Sequence, residues 1–207
     1  MTHLDHLVVA VPDLTEAVDR FERQTGVRPE LGGAHPGRGT HNALVSLGES
    51  YLELMAPDPH QPVPAEPWPF PFDELDGPSI VALAVRPPAG RSIDEAVAWA
   101  RAAGHDPGAV VAMGRTRRDG TTLGWRLTLP TGEHGGLVPF LIDWGDSEPP
   151  AATAPGGVVL VDIGAEHPDP ETVTAALDAM GFRLPVRVGD RPRLHAHLRG
   201  PAGTVDL

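Results

Sequence analysis

Hydrophobic and polar positions follow the same order three times along the chain. A short apolar strand is followed by a helix-start signal, an amphipathic helix and a glycine, which is a common residue at helix ends. The strands are predicted at 4–11, 80–85 and 158–163, and the terminal glycines are Gly26, Gly104 and Gly181. These glycines lie 78 and then 77 residues apart, so the pattern indicates a duplicated unit.

A stretch with the composition of several strands follows each predicted helix, which gives each unit the order βαβββ. In the first unit, a two-residue turn at Gly48 and Glu49 is predicted to join the last two strands into a hairpin. The predicted organisation is a first module (1–57), a proline-rich connection (58–78), a second module (79–146) and a third, shorter module (157–207).

The connection between the first two modules is rich in proline and contains Trp68, Phe70 and Phe72. Proline lacks the backbone donor that a sheet interior requires, so an extended segment is expected there. Two interpretations remain open. The segment is either a stiff linker whose aromatic rings pack on the sheet, or a lid whose Trp68 closes a pocket.

Alternation along the strands assigns their side chains to two faces of the sheet. In the first module, one face is almost wholly apolar and is expected to meet the helix. The other face mixes polar groups with larger apolar ones, as in a sheet that lines a pocket. His6 and Glu53 fall on this second face, in two separate strands. Imidazole and carboxylate suit Zn²⁺, Mn²⁺, Fe²⁺ or Ni²⁺, although isolated residues of these types are more often structural.

The composition narrows the functional classes. The formal charge is −12 and all 16 basic residues are arginine, which opposes binding to nucleic acid or to an anionic membrane. The absence of cysteine excludes thiolate chemistry, and the absence of lysine excludes a Schiff base. No secretory signal, no cysteine and no apolar run long enough to cross a bilayer is present, so a cytoplasmic protein is expected. The bias towards arginine, glycine, proline and alanine is typical of a GC-rich bacterial genome.

Several segments resemble the vicinal-oxygen-chelate superfamily, and specifically its glyoxalase-like domain. The segments are 4–14, 35–42, 51–54, 123–127 and 139–144. The resemblance covers about the first 146 residues well and the C-terminal third loosely. It implies an α+β fold in which tandem βαβββ modules form curved mixed sheets around a pocket, with the third, shorter module at the C-terminus. It also implies that a histidine on the first strand and a glutamate on the last strand bind a metal, and these match His6 and Glu53.

The second module departs from the superfamily pattern. Metal sites of the superfamily take further ligands from a paired module, but alignment of the two modules places Ile80 and Leu141 at those positions. Neither side chain can bind a metal. One of His35, His41 and His134 would have to complete the site, and strand alternation directs His41 to the helix side unless a bulge intervenes. Without a further ligand, the pocket is expected to be metal-free.

Other side chains are candidates for catalysis or substrate binding. Tyr51 shares the face of Glu53 and could serve as a general acid. Tryptophan rings could stack on a flat ligand, and arginine or asparagine could orient its polar groups. The predicted substrate-binding residues are Asn42, Trp68, Trp125, Arg126 and Trp144.

Two further groups have a less specific pattern. Arg115, Arg117 and Arg118 precede a hairpin turn and could hold a substrate carboxylate or phosphate, with a solvated hairpin as the alternative. His195 and His197 have the spacing that places two side chains on one face of a strand, but no carboxylate motif accompanies them.

Three hypotheses about the function are consistent with the sequence. The first is a glyoxalase-like enzyme that acts on a small oxygen-bearing organic molecule as a lyase, isomerase or dioxygenase. In it, His6 and Glu53 would hold a divalent metal that stabilises an oxyanion. The second is a metal-free protein of the same fold that binds or sequesters an aromatic compound between tryptophan rings. The third is a structural or regulatory module with a vestigial pocket. The expected partner is a small molecule, and the fold permits a homodimer in which modules pair between chains.

Overall fold

The computed structural model describes residues 1–64, 68, 70, 72, 75–116, 120, 122–130 and 133–207. Its elements follow the order βαβββ three times. The first module contains β1 (His3–Ala10), α1 (Leu14–Thr25), β2 (Glu30–His35), β3 (Thr40–Ser46) and β4 (Tyr51–Pro57). The second contains β5 (Ser79–Arg86), α2 (Ile93–Ala102), β6 (Val110–Thr116), β7 (Thr122–Thr128), a 3-10 turn (Glu133–Gly136) and β8 (Phe140–Asp143). A short helix α3 (Pro150–Thr153) precedes the third, which contains β9 (Val159–His167), α4 (Pro170–Ala179), β10 (Val186–Val188), β11 (Arg193–Arg199) and β12 (Thr204–Asp206).

The first two modules share one eight-stranded sheet with the order β2-β3-β4-β1-β5-β8-β7-β6. β1 and β5 pair antiparallel at its centre, and each pairs in parallel with the last strand of its own module. The sheet curls until its two edges approach each other, since the Arg115 guanidinium on β6 donates to the carbonyl oxygen of Gly32 on β2. The predicted α+β fold, with curved sheets around a pocket, is therefore confirmed.

The third module has the same order of elements but a different sheet. Its four strands are arranged β10-β9-β11-β12, so its first strand pairs with its second and third strands. In the first module, by contrast, the first strand pairs with the fourth. The regular spacing of helix ends predicted the order of elements, but helix spacing does not specify which strands pair.

The helices begin at the residues that the sequence signals. Asp13 accepts a hydrogen bond of 2.8 Å from the backbone of Glu16 at the start of α1. At α2, Ser92 and Glu95 form a reciprocal capping box, which satisfies two backbone donors at once. Gly26 ends α1 with φ at 79°, a left-handed conformation that glycine adopts without steric cost.

Apolar side chains lie on both faces of the large sheet. On the convex face, Leu7 and Leu52 pack with the helices and with Leu177 of the third module. On the concave face, Val8 and Phe140 belong to a second cluster. Because neighbouring residues of a strand point to opposite faces, burial of Leu52 against the helices directs Glu53 into the concavity.

Within the described part of the chain, no helix is both long enough and apolar enough to cross a membrane.

The core on the convex face should determine stability. We expect Leu52→Ala to lower the free energy of unfolding by about 2–5 kcal/mol, because it leaves a cavity in a close-packed site, where Leu52 is 0% exposed. Val159→Ala is the matched control, since Val159 is 50% exposed and its truncation should change stability by less than about 0.5 kcal/mol. Urea denaturation of both variants measures the difference. Equal, small losses would contradict this assignment of the core.

Candidate functional site

A cavity of about 390 Å³ lies against the concave face of the large sheet. The first module lines it mainly with polar side chains, namely His6, His35, Thr40, Asn42, Tyr51 and Glu53. The second module lines it mainly with apolar ones, namely Met113, Trp125, Leu127, Phe140, Ile142 and Trp144. One wall can therefore bind polar groups, while the other offers an apolar surface.

His6 and Glu53 converge in this cavity. In the parallel pairing of β1 with β4, Val8 lies opposite Glu53 and His6 lies opposite Tyr51, so His6 and Glu53 are diagonal neighbours on one face. His6 Nε2 is 3.6 Å from Glu53 Oε2, and the two side chains are only 4% and 8% exposed. An imidazole and a carboxylate thus share a site that is largely shielded from water.

Asp5 holds the other edge of the His6 ring. Its Oδ1 is 2.7 Å from His6 Nδ1, and its Oδ2 accepts a hydrogen bond of 3.1 Å from Trp144 Nε1. The Arg86 guanidinium lies 3.3 Å from the same Oδ2. The contact with Asp5 is a hydrogen bond in the tautomer that carries its proton on Nδ1, and in that arrangement Nε2 points towards Glu53.

The role of Asp5 was not predicted from the sequence. In a regular strand, adjacent residues such as Asp5 and His6 point to opposite faces. The pairing of β1 with β5 has a register shift between Leu4 and His6, and a bulge of this kind re-aims a side chain. An acidic residue at a buried strand position was the only signal, and on its own it did not identify a partner.

Asn42 holds the second oxygen of Glu53 and also contacts His35. Asn42 Nδ2 donates to Glu53 Oε1 at 2.6 Å and lies 3.1 Å from His35 Nε2. Burial lowers the pKa of His35, which favours the neutral ring. Because the amide nitrogen only donates, His35 Nε2 accepts and Nδ1 carries the proton, 2.9 Å from Thr40 Oγ1. Asn42, which was predicted to orient substrate, lines the cavity, and its amide nitrogen positions Glu53.

Tyr51 completes the polar wall. Its ring stacks on His6 with 4.5 Å between centroids and 24° between planes. Burial raises the pKa of Tyr51 well above its usual value, and the negative charges of Asp5 and Glu53 raise it further. Tyr51 is therefore a neutral phenol, which can donate a hydrogen bond into the cavity.

Comparison with known proteins agrees with this architecture. A family model described as a glyoxalase-like domain matches residues 4–181. The chain belongs to this family. The predicted resemblance to the vicinal-oxygen-chelate superfamily is thereby confirmed. No protein of curated function matches the chain significantly.

Several solved structures are similar to this glyoxalase-like protein, and one of them matches it with a TM-score above 0.5. A hypothetical protein from Staphylococcus aureus is 14% identical with a TM-score of 0.65, and the match covers 100% of this chain and 84% of that chain. Methylmalonyl-CoA epimerase from Mycobacterium tuberculosis is 22% identical with a TM-score of 0.45, over 72% of this chain and 91% of that chain. The epimerase from Streptomyces coelicolor, bound to 2-nitronate-propionyl-CoA, is 20% identical with a TM-score of 0.47, over 72% and 98%. At these identities the likeness concerns the fold and not the reaction.

The three tryptophans predicted to bind substrate all line the cavity of the glyoxalase-like domain. The Trp125 and Trp144 rings lie 5.4 Å apart at 47°. Trp68 Nε1 donates to the backbone oxygen of Arg38 at 2.9 Å. Among the described residues of the proline-rich connection, Phe70 and Phe72 also line the cavity. Part of this connection therefore lines the pocket, which both the linker and the lid interpretation allow.

Arg126 does not lie in the cavity, which corrects its assignment as a substrate-binding residue. Its guanidinium makes two hydrogen bonds to Asp94, of 2.8 and 2.9 Å, on the exposed surface. Trp125 and Leu127 face the cavity, so strand alternation points the residue between them outwards.

The remaining candidate residues are the arginines before the predicted hairpin turn and the two histidines of the third module. Arg115 lines the cavity, while Arg117 and Arg118 lie outside the described residues. His197 Nδ1 is 2.6 Å from Asp206 Oδ1 on the exposed part of the third module. His195 and His197 are not among the residues that line the cavity.

The strands β5 and β8 of the second module, which aligned with the metal-binding strands of the superfamily, offer no metal ligand among their described residues on the concave face. Ile80 and Leu141, which aligned with the expected ligands, both lie in the cluster on the convex face. A register shift in β5 reverses the face of Ile80. On these two strands, the residues that belong to the cluster on the concave face are Ala82, Ala84, Phe140 and Ile142, and these side chains have no donor atom for a metal.

The donor set of the first module does not fit a metal site either. The described residues contain no group of three or more His, Cys, Asp or Glu side chains arranged to hold an ion. His35 Nε2 is 3.6 Å from Glu53 Oε1, but the Asn42 amide nitrogen lies beside both atoms. Its hydrogens would face a cation placed there. His6 and Glu53 Oε2 remain, and two ligands are too few for a tight site.

The tautomer of His35 is directly measurable. Long-range ¹H–¹⁵N NMR should show a neutral ring with its proton on Nδ1. The ring should become protonated at a lower pH than in the urea-unfolded chain, because burial lowers the pKa of His35. The unfolded state then binds more protons, so this residue reduces stability as the pH falls below about 6.5. A proton on Nε2, or protonation at the pH of the unfolded chain, would contradict the hydrogen bonds assigned to Asn42.

Metal binding provides a second test. We expect calorimetric titration of chelator-treated protein with Zn²⁺ or Mn²⁺ to show no stoichiometric site with a Kd below about 1 μM, because the donor set is incomplete. Glu53→Ala and His6→Ala should give the same titration as the wild type. One equivalent of tightly bound metal in the wild type, lost in both variants, would show that the two residues are ligands.

Proposed function

We propose that this glyoxalase-like protein is an enzyme that transfers a proton on a small oxygen-bearing organic molecule, as isomerases and lyases do. The observation that carries the proposal is the contact of Glu53 with His6 inside a largely apolar cavity. Burying a carboxylate costs several kcal/mol, and a pocket that only sequesters an apolar compound does not need one. Charged and titratable groups in such a cleft are typical of catalytic sites.

Glu53 is the base in this proposal. Its Oε1 is held by Asn42, while Oε2 remains on the side of His6. The carboxylate takes a proton from a carbon next to a carbonyl group. The C–H bond breaks, its electron pair forms a carbon–carbon double bond, and the carbonyl oxygen becomes an enolate oxygen. Glu53, now a carboxylic acid, returns the proton to the same carbon or to a neighbouring atom.

Tyr51 and His6 support the reaction from the same wall. We assign Tyr51 as the donor to the enolate oxygen, because its phenol is neutral and such donors stabilise developing negative charge. His6 acts as the proton carrier beside Glu53, with Nε2 towards the site and Nδ1 fixed by Asp5. Asp5 and Asn42 are positioning residues, since each acts through the side chain it holds.

The metal that the family resemblance suggests has no part in this proposal, because the donor set does not fit it. Dioxygenase chemistry, which the resemblance also suggests, is left out for the same reason.

A second candidate is a binding protein for an aromatic compound. The apolar wall and the pair of rings formed by Trp125 and Trp144 favour it, since such surfaces stack on flat ligands. It requires no chemistry from Glu53.

Hydrogen exchange in D₂O separates the two functions even while the product is unidentified. Aldehydes, hydroxyketones and 2-oxo acids are incubated with the protein, and ¹H NMR follows loss of the C–H signal next to the carbonyl. We expect exchange of at least one class, reduced about 10²-fold or more in Glu53→Gln because the base is removed. Arg126→Met is the control and should retain full activity. Absence of exchange throughout, with aromatic compounds quenching tryptophan fluorescence, would favour the binding protein.

A further inference from the structure

Arg115 presents a positive charge to the cavity from the edge of the sheet. On β6 it follows Met113 by two residues, so both side chains lie on the face that lines the cavity. Its guanidinium donates to the carbonyl oxygen of Gly32 on β2, across the gap between the two sheet edges. This hydrogen bond fixes the position of a long side chain, so less conformational entropy is lost when it binds a ligand.

The charge of Arg115 is felt at the polar wall. Burial has the largest effect on the pKa of His35 and lowers it, and Glu53 raises it. Arg115 has the next largest effect and lowers this pKa. Arg115 also opposes the rise in the pKa of Tyr51 that burial causes. The geometry places the guanidinium beside this wall, because it donates to Gly32, the residue whose Cβ position lies against Asn42 Oδ1.

The charge of the whole chain makes this local cation significant. A formal charge of −12 repels an anionic ligand at long range, so an anion requires a positive group inside the cavity. A guanidinium matches a carboxylate with two parallel hydrogen bonds, and such bonds are stronger where water is excluded. A phosphate would bring up to two negative charges close to Glu53, whereas a carboxylate brings one.

We propose that Arg115 binds the carboxylate of a small monoanionic substrate whose remaining part lies along the apolar row formed by Met113, Trp125 and Leu127. This inference rests on the proposed function and adds the class of substrate: a carboxylate joined to an apolar or aromatic body that fits a cavity of about 390 Å³. In β6 and β7, Met113 pairs with Trp125 and Arg115 pairs with Leu123. The cation therefore stands at the end of a continuous apolar surface.

Matched ligand pairs test the proposal. Arylalkyl carboxylic acids and their neutral amides are titrated while tryptophan fluorescence is recorded, since Trp125 and Trp144 line the cavity. We expect the wild type to bind an acid at least about tenfold more tightly than its amide, as loss of a charge-assisted pair typically costs that factor or more. Arg115→Met should remove the preference and leave amide binding unchanged, and Arg115→Lys should restore it in part.

The controls locate the effect. Arg126→Met, on the exposed surface, should behave as the wild type, and Arg38→Met tests the second arginine that lines the cavity. Equal affinities for acid and amide in the wild type would overturn the proposal. It would also be overturned if the preference survived in Arg115→Met or was lost only in Arg38→Met. Absence of binding of either series at millimolar concentration would overturn it as well. Glu53→Gln separates this result from the proposed reaction, because it should abolish exchange but keep the preference for the acid.

Discussion

The structure of the site depends on strand alternation that the core enforces. Leu7 and Leu52 are fully buried on the convex face, and a strand cannot keep them there while changing the face of its neighbours. His6 and Glu53 are therefore directed into the concavity by residues that have no part in the chemistry. A shift of one residue in β1 or β4 would bury the imidazole or the carboxylate against the helices, where it would have no partner.

The same constraint creates an electrostatic cost that the surrounding side chains offset. Asp5 and Glu53 are both buried, and isolated carboxylates in such surroundings are unstable. Trp144 and Arg86 contact Asp5, while Asn42 donates to Glu53. Asn42 Oδ1 is buried without a hydrogen bond among the described residues, and it lies against Gly32, where a Cβ would collide with it. Glycine at this position leaves room for the amide that positions the carboxylate.

Alternation and helix signals made much of the first module predictable from sequence. They placed His6, Tyr51 and Glu53 together on one face. They failed where a strand is irregular: the bulge that brings Asp5 to His6 depends on the pairing with β5, and the sequence of β1 alone does not contain it.

The second module shows the same limit. Arg126 and its neighbour Trp125 were both assigned to the pocket. Adjacent residues of a strand point to opposite faces, so strict alternation would have left Arg126 outside it. Alignment of the two modules put Ile80 and Leu141 in the pocket. In the structure, a register shift in β5 turns Ile80 to the convex face. Leu141 is offset by one residue from Phe140 and Ile142, which lie on the concave face, so it also lies on the convex face. Family resemblance likewise suggested a metal. Whether these residues can hold a metal depends on which atoms the Asn42 amide contacts. Those contacts are a property of side-chain packing.

The most direct test of the central claim is a double-mutant cycle between His6 and Glu53, measured as free energies of unfolding. His6→Gln, Glu53→Gln and the double variant should give a coupling energy of about 0.5–3 kcal/mol, because the two groups touch. A cycle between His6 and Arg126 should be additive to within about 0.5 kcal/mol, since these residues share no partner. Additivity in both cycles would show that the imidazole and the carboxylate do not meet, and the proposed site would be wrong.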